Sequence, residues 1–305
     1  MISGVGVPSG VGVSGTTQSR FNSFKIIETV KSIDREIVTL YGGPHATPAA
    51  EDTLQNERSL DAVVRNEGEL TVLEIMSALK KQHRIDFSPI TGVSFHQDGR
   101  IAHNPARPYI RDLDQLPLPA WHLFRMESYR QTMDFLDLPG HAIVTSRGCP
   151  FQCHFCLYNK IEGGRQRYRD PAEVAKEIEA LQKGYGVSSI WFTDAQFCST
   201  RRSMKHVEHI LDEMLARQVK VRWTGYLRLN YLTPEVAKKM LASGLTSIDL
   251  SFTGTQDIID SLTLGYDLEQ QMAAFRLFKD AAVEGWDKQK IKLYMPLNAP
   301  GETPD

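Results

Sequence analysis

The chain has 305 residues, 41% of them hydrophobic and 24% charged, enough for more than one buried core and a length that predicts two domains. Its 35 Lys and Arg against 37 Asp and Glu leave a net charge of -2 with no basic block, which argues against a nucleic-acid partner. No apolar run approaches the ~18 residues of a membrane helix, and the Gly-, Val- and Ser-rich start has no basic leader before Arg20, so a cytoplasmic location with reduced thiols is expected.

Residues 11–15 read as a short strand running into a loop, with no earlier element to pair it. Between 19 and 33, Phe21, Phe24, Ile27 and Val30 recur at helical spacing and predict an amphipathic helix. A buried strand over 36–41 ends in Gly42-Gly43-Pro44-His45. A short strand over 62–64 and a helix over 69–80, carrying Leu70, Leu73, Ile75 and Met76, follow. This order fits the later half of a doubly wound sheet. Residues 90–95 and 101, around Asp98-Gly99, predict a hairpin. The Pro-rich stretch 116–121 reads as a linker.

From His141 onward strands and helices alternate. A strand over 142–145 precedes a helix whose start is written out as Asp170 cap, Pro171 and Glu173, with Val174, Ile178 and Leu181 on one face. Further strands are expected at 189–193, 219–224, 247–252 and 291–295. Between them lie a helix with Met204, Val207, Leu211 and Met214, one opening at Thr233-Pro234, and one over 270–283. Five such units predict a partial (β/α) barrel, whose chemistry belongs at the carboxyl ends of the strands. The expected division is 1–81, a partial doubly wound domain; 82–140, hairpin and linker; and 141–305, the partial barrel. The sequence reads as a piece of a longer chain, because Thr303-Pro304 is a helix start near its end.

Three of the four cysteines, Cys149, Cys153 and Cys156, form a C-x-x-x-C-x-x-C run after the first barrel strand. Three thiolates on one loop can hold three irons of a cubane cluster and leave the fourth iron open. A zinc ribbon wants a second C-x-x-C pair, but only Cys198 remains, with His154 inside the loop. A chain of this size has no need of disulfide staples. Cys198 reads as a small buried hydrophobe, with a catalytic or ligand role as the alternative that its place near the barrel mouth leaves open.

The cysteine spacing resembles the signature of the radical S-adenosylmethionine (SAM) enzymes, in which the open iron chelates the amino and carboxylate groups of SAM and electron transfer yields a 5'-deoxyadenosyl radical. The resemblance implies roles for other strand ends. Asp194 after the second strand would meet the SAM amino group, and Arg228 after the third its carboxylate. Thr253, Thr255 and Gln256 stand in a loop similar to the E-S-G-S-Q ribose loop, with Phe252 in place of the acid. Pro300-Gly301-Glu302-Thr303 is similar to the P-G-E-T run near adenine.

The first region resembles the cobalamin-dependent branch of this family. Ser14-Gly15-Thr16, Gly42-Gly43-Pro44-His45-Ala46-Thr47 and Arg65-Asn66-Glu67-Gly68-Glu69 match its motifs, with Asn66 replacing a glycine. The resemblance implies that Ser14, Thr16, Gly42, Gly43 and His45 lie beside cobalamin, with His45 read as a hydrogen-bonded structural residue of that loop in preference to a cobalt ligand. The cofactors implied are a 4Fe-4S cluster, SAM and cobalamin. The reaction implied is methyl transfer from methylcobalamin to an unactivated carbon or phosphorus of a small molecule, with an external flavodoxin- or ferredoxin-type reductase. Cyclisation or rearrangement, and an iron-sulfur redox module without turnover, remain as alternatives.

Overall fold

The structure is a computed structural model describing residues 9–81, 85–129, 141–228, 230–279 and 290–294. The chain forms two compact units: Met1–Ile110 with Lys160–Glu162, and Arg111–Asn159 with Gly163–Asp305.

In the first unit, β1 (Gly10–Ser14), α1 (Arg20–Ile33), β2 (Val38–Gly42), α2 (Ala50–Asn56), β3 (Ala62–Val64) and α3 (Glu69–Leu79) lead to a hairpin, β4 (Val93–Gln97) and β5 (Arg100–His103). The sheet order is β1-β2-β3-β4-β5. The first three strands are parallel, and β4 joins β3 antiparallel. The hairpin therefore completes this sheet and is no part of a connecting segment, as the sequence division had it. Its Asp98-Gly99 turn takes left-handed φ at both residues, the geometry that matches strand twist.

Two helical faces differ from the sequence pattern. In α1 the buried residues are Ser23 and Ile27, and Phe24 packs edge-on to Tyr41, with ring centroids 5.2 Å apart. Phe21 instead stays exposed beneath the Arg20 guanidinium. In α3 the buried line is Thr71, Ile75 and Leu79, one residue every turn, while Leu70 and Leu73 face outward. Thr71 is tolerated inside because its hydroxyl donates to Thr91 O and accepts from Arg107 Nε at 2.8 Å.

The second unit opens with 3-10 turns at Leu113–Gln115 and Trp121–Leu123 and a single turn, α4 (Met126–Tyr129). Met126 is buried in the barrel core and Trp121 packs against it, so the Pro-rich stretch is a packed strap, not a free linker. Then come β6 (His141–Ile143), β7 (Ser146–Arg147), α5 (Tyr158–Ile161, whose last two residues count with the first unit), β8 (Arg167–Tyr168), α6 (Pro171–Tyr185), β9 (Ser189–Phe192), α7 (Arg201–Ala216), β10 (Arg222–Gly225), α8 (Pro234–Ala242), β11 (Ser247–Ser251), α9 (Gln256–Ser261), α10 (Leu268–Lys279) and β12 (Lys290–Tyr294).

Strands β6, β9 and β10 pair in parallel, as do β11 and β12. Parallel bridges at Trp223–Leu245 and Tyr226–Asp249 carry the pairing from β10 to β11. The five strands thus follow one another in chain order, as one wall of a barrel does.

The helices start where the sequence writes their caps. Asp170 accepts from Ala172 N and Glu173 N, Thr200 and Ser203 form a reciprocal capping box, and Thr233 accepts from Val236 N. One core fills the space between strands and helices, including Val174, Ile178 and Leu181 of α6, Val207 and Leu211 of α7, and Ile190, Phe192, Trp223, Ile248 and Leu250 of the strands. Phe192 and Phe197 stack at 4.4 Å with Trp223 edge-on to both. Truncating either Phe to Ala would cost roughly 3–5 kcal/mol.

Candidate functional site

The cysteine loop leaves the carboxyl end of β6 and is bracketed by the two-residue ribbon of β7 and β8. Gly148 starts it at φ +89°, and a Cβ there would run into Arg165 O. Only glycine lets the chain turn so close to its own return path. Cys149 N donates to Gly163 O at 3.0 Å and Cys156 N to Cys153 O at 3.1 Å. His154 is used as a brace: its N donates to Leu262 O at 3.1 Å, and its Nε2 lies 3.1 Å from Thr263 Oγ1.

All three sulfurs are free thiols; Cys149 is 7% exposed, and Cys153 and Cys156 are half-buried. Burial pushes the thiols of Cys149 and Cys153 up, and the Arg228 guanidinium works against that rise in both. Among the described residues no three His, Cys, Asp or Glu side chains converge as ligands of a single ion. A cubane asks instead for one thiolate on each of three irons.

Arg228, expected near the SAM carboxylate, lies against this loop. Its guanidinium stacks 3.9 Å from the centroid of Phe151 and 4.9 Å from that of Tyr266. Nη1 donates to Leu264 O at 2.6 Å, and Nη2 sits 3.9 Å from Cys153 Sγ. A planar, delocalised cation suits this slot where a lysine would not. Thr253 is buried, its hydroxyl 3.3 Å from Tyr266 OH. Thr255 caps α9, and Gln256 donates to Asp260 Oδ1 and accepts from Leu268 N. The loop after β11 and the cysteine loop therefore meet at Leu262, Leu264 and Tyr266.

Asp194 is elsewhere. It is buried, and its carboxylate accepts from Thr145 N at 3.1 Å, Thr145 Oγ1 at 2.9 Å and Ser146 Oγ at 2.6 Å. Both oxygens are engaged in pinning the end of β6, just ahead of the cysteines. Burial raises its pKa and these donors pull it back. Nothing in the sequence signals a partner 49 residues away. Cys198 is fully buried, donates toward Arg228 O at 3.6 Å, and has a thiol pKa pushed up to about 12 by burial. It is chemically inert beside the other three.

In the first unit, Ser14, Gly42, Gly43 and His45 gather at the carboxyl ends of β1 and β2, where ligands of open α/β sheets bind. Gly15 N donates to Gly42 O at 3.2 Å and His45 N to Gly15 O at 3.3 Å. Thr16 N donates to Ser19 Oγ at 2.9 Å, closing the turn into α1. His45 Nδ1 lies 3.1 Å from Thr17 Oγ1, and burial followed by Arg20 holds its pKa down.

At Gly43 the two strand ends pack closely on each other. Gly43 has φ +95°, and a Cβ there would lie 2.5 Å from Ser14 Oγ. Tyr41, 0% exposed, has a buried hydroxyl with no hydrogen-bond partner among the described residues. The Pro300–Thr303 run lies outside the described residues.

Residues 143–305 match the model of the radical SAM superfamily and residues 6–76 that of the B12 binding domain. The chain belongs to the radical SAM superfamily, and its pairing with a B12-binding domain makes it a cobalamin-dependent member. It is 30% identical over 273 residues to an uncharacterized methyltransferase of Pyrococcus horikoshii, covering 89% of this chain and 58% of that one. It is 29% identical over 289 residues to the anaerobic magnesium-protoporphyrin IX monomethyl ester cyclase of Rubrivivax gelatinosus, covering 90% and 49%. The chain spans about half the length of these relatives.

In fold it is similar to the radical SAM methyltransferase TsrM of Kitasatospora setae, with a TM-score of 0.79 at 19% identity over 97% of this chain and 58% of that one. It is also similar to the cobalamin-dependent SAM radical enzyme OxsB, with a TM-score of 0.75 at 18% identity over 93% and 40%. The family's cofactors are an iron-sulfur cluster, SAM and cobalamin. Among the described residues no helix is long and apolar enough to cross a membrane.

Proposed function

We propose that this chain carries the cobalamin-binding and SAM-cleaving parts of a methyltransferase acting on an unactivated carbon or phosphorus centre of a small molecule. The observation that carries the reading is the single loop with three free thiols at the carboxyl end of β6, fixed by Gly148 and braced by His154. When bound, the cluster and SAM supply a 5'-deoxyadenosyl radical, and methylated cobalamin supplies the methyl group.

In this reading Cys149, Cys153 and Cys156 each hold one iron and leave the fourth open. Arg228 places a positive charge beside the cluster and can extend its remaining N–H groups toward the SAM carboxylate. Thr253, Thr255 and Gln256 shape the ribose side. Asp194 acts from beneath, holding Thr145 and Ser146 so that the loop leaves β6 in one direction. Ser14, Thr16, Gly42, Gly43 and His45 line the cobalamin crevice. An external flavodoxin- or ferredoxin-type reductase supplies electrons.

Cyclisation or rearrangement is the second reading, supported by the Rubrivivax cyclase among the relatives. A redox module without turnover is the third. Electron paramagnetic resonance of the anaerobically reconstituted chain separates turnover from storage: the enzyme readings expect a cluster signal that SAM perturbs. A signal indifferent to SAM sinks them both. Transfer of label from methyl-labelled SAM to cob(I)alamin, made by chemical reduction of hydroxocobalamin, then distinguishes methyl transfer from the second reading.

A further inference from the structure

The inner face of the barrel strands departs from the Val, Ile and Leu layers that fill an ordinary (β/α) barrel. Strand register decides which residues share that face. Ala142 pairs with Trp191 and Trp191 with Thr224. Tyr226 bridges to Asp249, Asp249 pairs with Lys292, and Ser251 with Tyr294. The residues of opposite parity, Ile190, Phe192, Trp223, Ile248 and Leu250, all lie in the core beneath the helices. Side chains alternate along a strand, so the first set faces the lumen.

That lumen face holds three aromatic rings, a carboxylate and an ammonium. The rings remain reachable. Trp191 and Tyr226 are half-buried and Tyr294 is 36% exposed, whereas Trp223 on the helix-covered face is 0% exposed. Centroids of Trp191 and Tyr226 are 6.3 Å apart, and those of Tyr226 and Tyr294 5.5 Å. Asp249 is 4% exposed, and its Oδ1 has no hydrogen-bond donor among the described residues. Lys292 is its register partner, and its charge is felt at the carboxylate. A buried acceptor without a donor is destabilising, and its retention calls for an explanation. The cysteine loop makes no use of this carboxylate.

Resting on the radical SAM reading of the barrel, we infer that Asp249 anchors the substrate, and that the substrate is a flat conjugated group presenting an N–H beside a carbonyl, as in an aromatic amide or lactam. The N–H donates to Asp249 Oδ1, the carbonyl accepts from the Lys292 ammonium, and the ring packs against Tyr226, Tyr294 and Trp191. Donor and acceptor side by side match the two register partners. A lone carboxylate would match Lys292 but oppose Asp249.

The test uses benzamide as probe and N,N-dimethylbenzamide, which lacks the N–H, as its control, titrated by calorimetry into the reconstituted full chain. Benzamide is expected to bind at least about tenfold more tightly than the control, the margin of one hydrogen bond to a charged group. Asp249→Ala is expected to abolish that preference. If Asp249→Ala does not fold, Asp249→Asn keeps the shape and loses the charge, and benzamide affinity should fall about tenfold. Failure of the wild-type chain to bind benzamide, absence of the preference, its survival in Asp249→Ala, or unchanged affinity in Asp249→Asn would overturn the anchor. Iron content and the SAM-perturbed resonance signal are read on the same samples. Their loss in the wild-type chain would overturn the radical SAM reading itself, so the two failures are distinguishable.

Discussion

The first-unit sheet and the barrel sheet are both built on parallel strands, yet they use their faces differently. In β2, Val38, Thr39, Leu40 and Tyr41 are all buried. Val38 and Leu40 join a core with Ala62, Val64 and Ile75, while Tyr41 joins another with Ile27, Leu54 and Val63. Even Thr39 is spent, donating to Ser59 O at 2.7 Å. In β11, only Ile248 and Leu250 join a core, and Ser247, Asp249 and Ser251 look the other way. A sheet covered on both sides offers ligands only its strand ends, here Ser14, Gly42 and Gly43. The barrel offers its strand ends and its inner wall.

The largest expected effects lie at the barrel's strand ends. Replacing Cys149, Cys153 or Cys156 by Ala should reduce iron from ~4 per chain to near background and remove the SAM-sensitive signal. Retention of that signal in any one variant sinks the assignment of that cysteine. The first unit should be unaffected, and hydroxocobalamin binding measured by equilibrium dialysis should match that of the unaltered chain.

Two glycine substitutions sharpen the contrast. Gly148→Ala puts a Cβ into backbone at φ +89°, so the loop must move, at a cost of about 2–4 kcal/mol and most of the bound iron. Gly43→Ala carries the same φ penalty, but its nearest obstacle, Ser14 Oγ at 2.5 Å, is a rotatable side chain, and the expected cost is about 1–3 kcal/mol. It should weaken hydroxocobalamin binding and leave iron content intact. Equal effects of both substitutions on both cofactors would mean that the two sites are not independent.

The barrel's outer pattern was legible because local chemistry writes it: Asp170-Pro171, Thr200 and Thr233-Pro234 mark helix starts, and Met204, Val207, Leu211 and Met214 mark a buried face. In contrast, α2 was invisible. Its seven residues are too few for a periodic run, and Ala49 supplies no side-chain cap. The buried face of α3 was not legible, because Leu70 and Leu73 outweigh Thr71 on any hydrophobic count, while Thr71 is satisfied inside by Arg107 and Thr91. The lumen face did leave a signal, the alternation Ser247, Asp249, Ser251 against Ile248, Leu250, Phe252. Asp194 could not be placed from sequence, because its partners Thr145 and Ser146 meet it only through the pairing of β6 with β9.

A smaller effect tests the inner wall through pH. Burial is the largest influence on Asp249 and raises its pKa, with Lys292 pulling it down. A carboxyl that holds its proton more tightly in the folded chain favours folding below its unfolded pKa of about 3.9. That advantage is lost as pH rises through the folded value. Asp249→Asn removes the titration, so its melting temperature relative to wild type should climb as pH rises above about 4. A constant difference across that range would mean that Lys292 fully offsets the burial.

The smallest effect is expected at Cys198, and it distinguishes the fourth cysteine from the three in the loop. Its thiol is fully buried in the segment between β9 and α7, in the core with Phe197 and Leu227, and burial holds its pKa at about 12. Little thiolate forms near neutral pH, so iodoacetamide should label the loop cysteines of the cluster-free chain first and reach Cys198 only on unfolding. Cys198→Ala removes one sulfur from a packed site and a weak donation to Arg228 O, which should cost about 1–2 kcal/mol. Iron content and the response to SAM should not change. A loss of iron in Cys198→Ala would place the fourth thiol within reach of the cluster and overturn the division between one inert and three ligating cysteines.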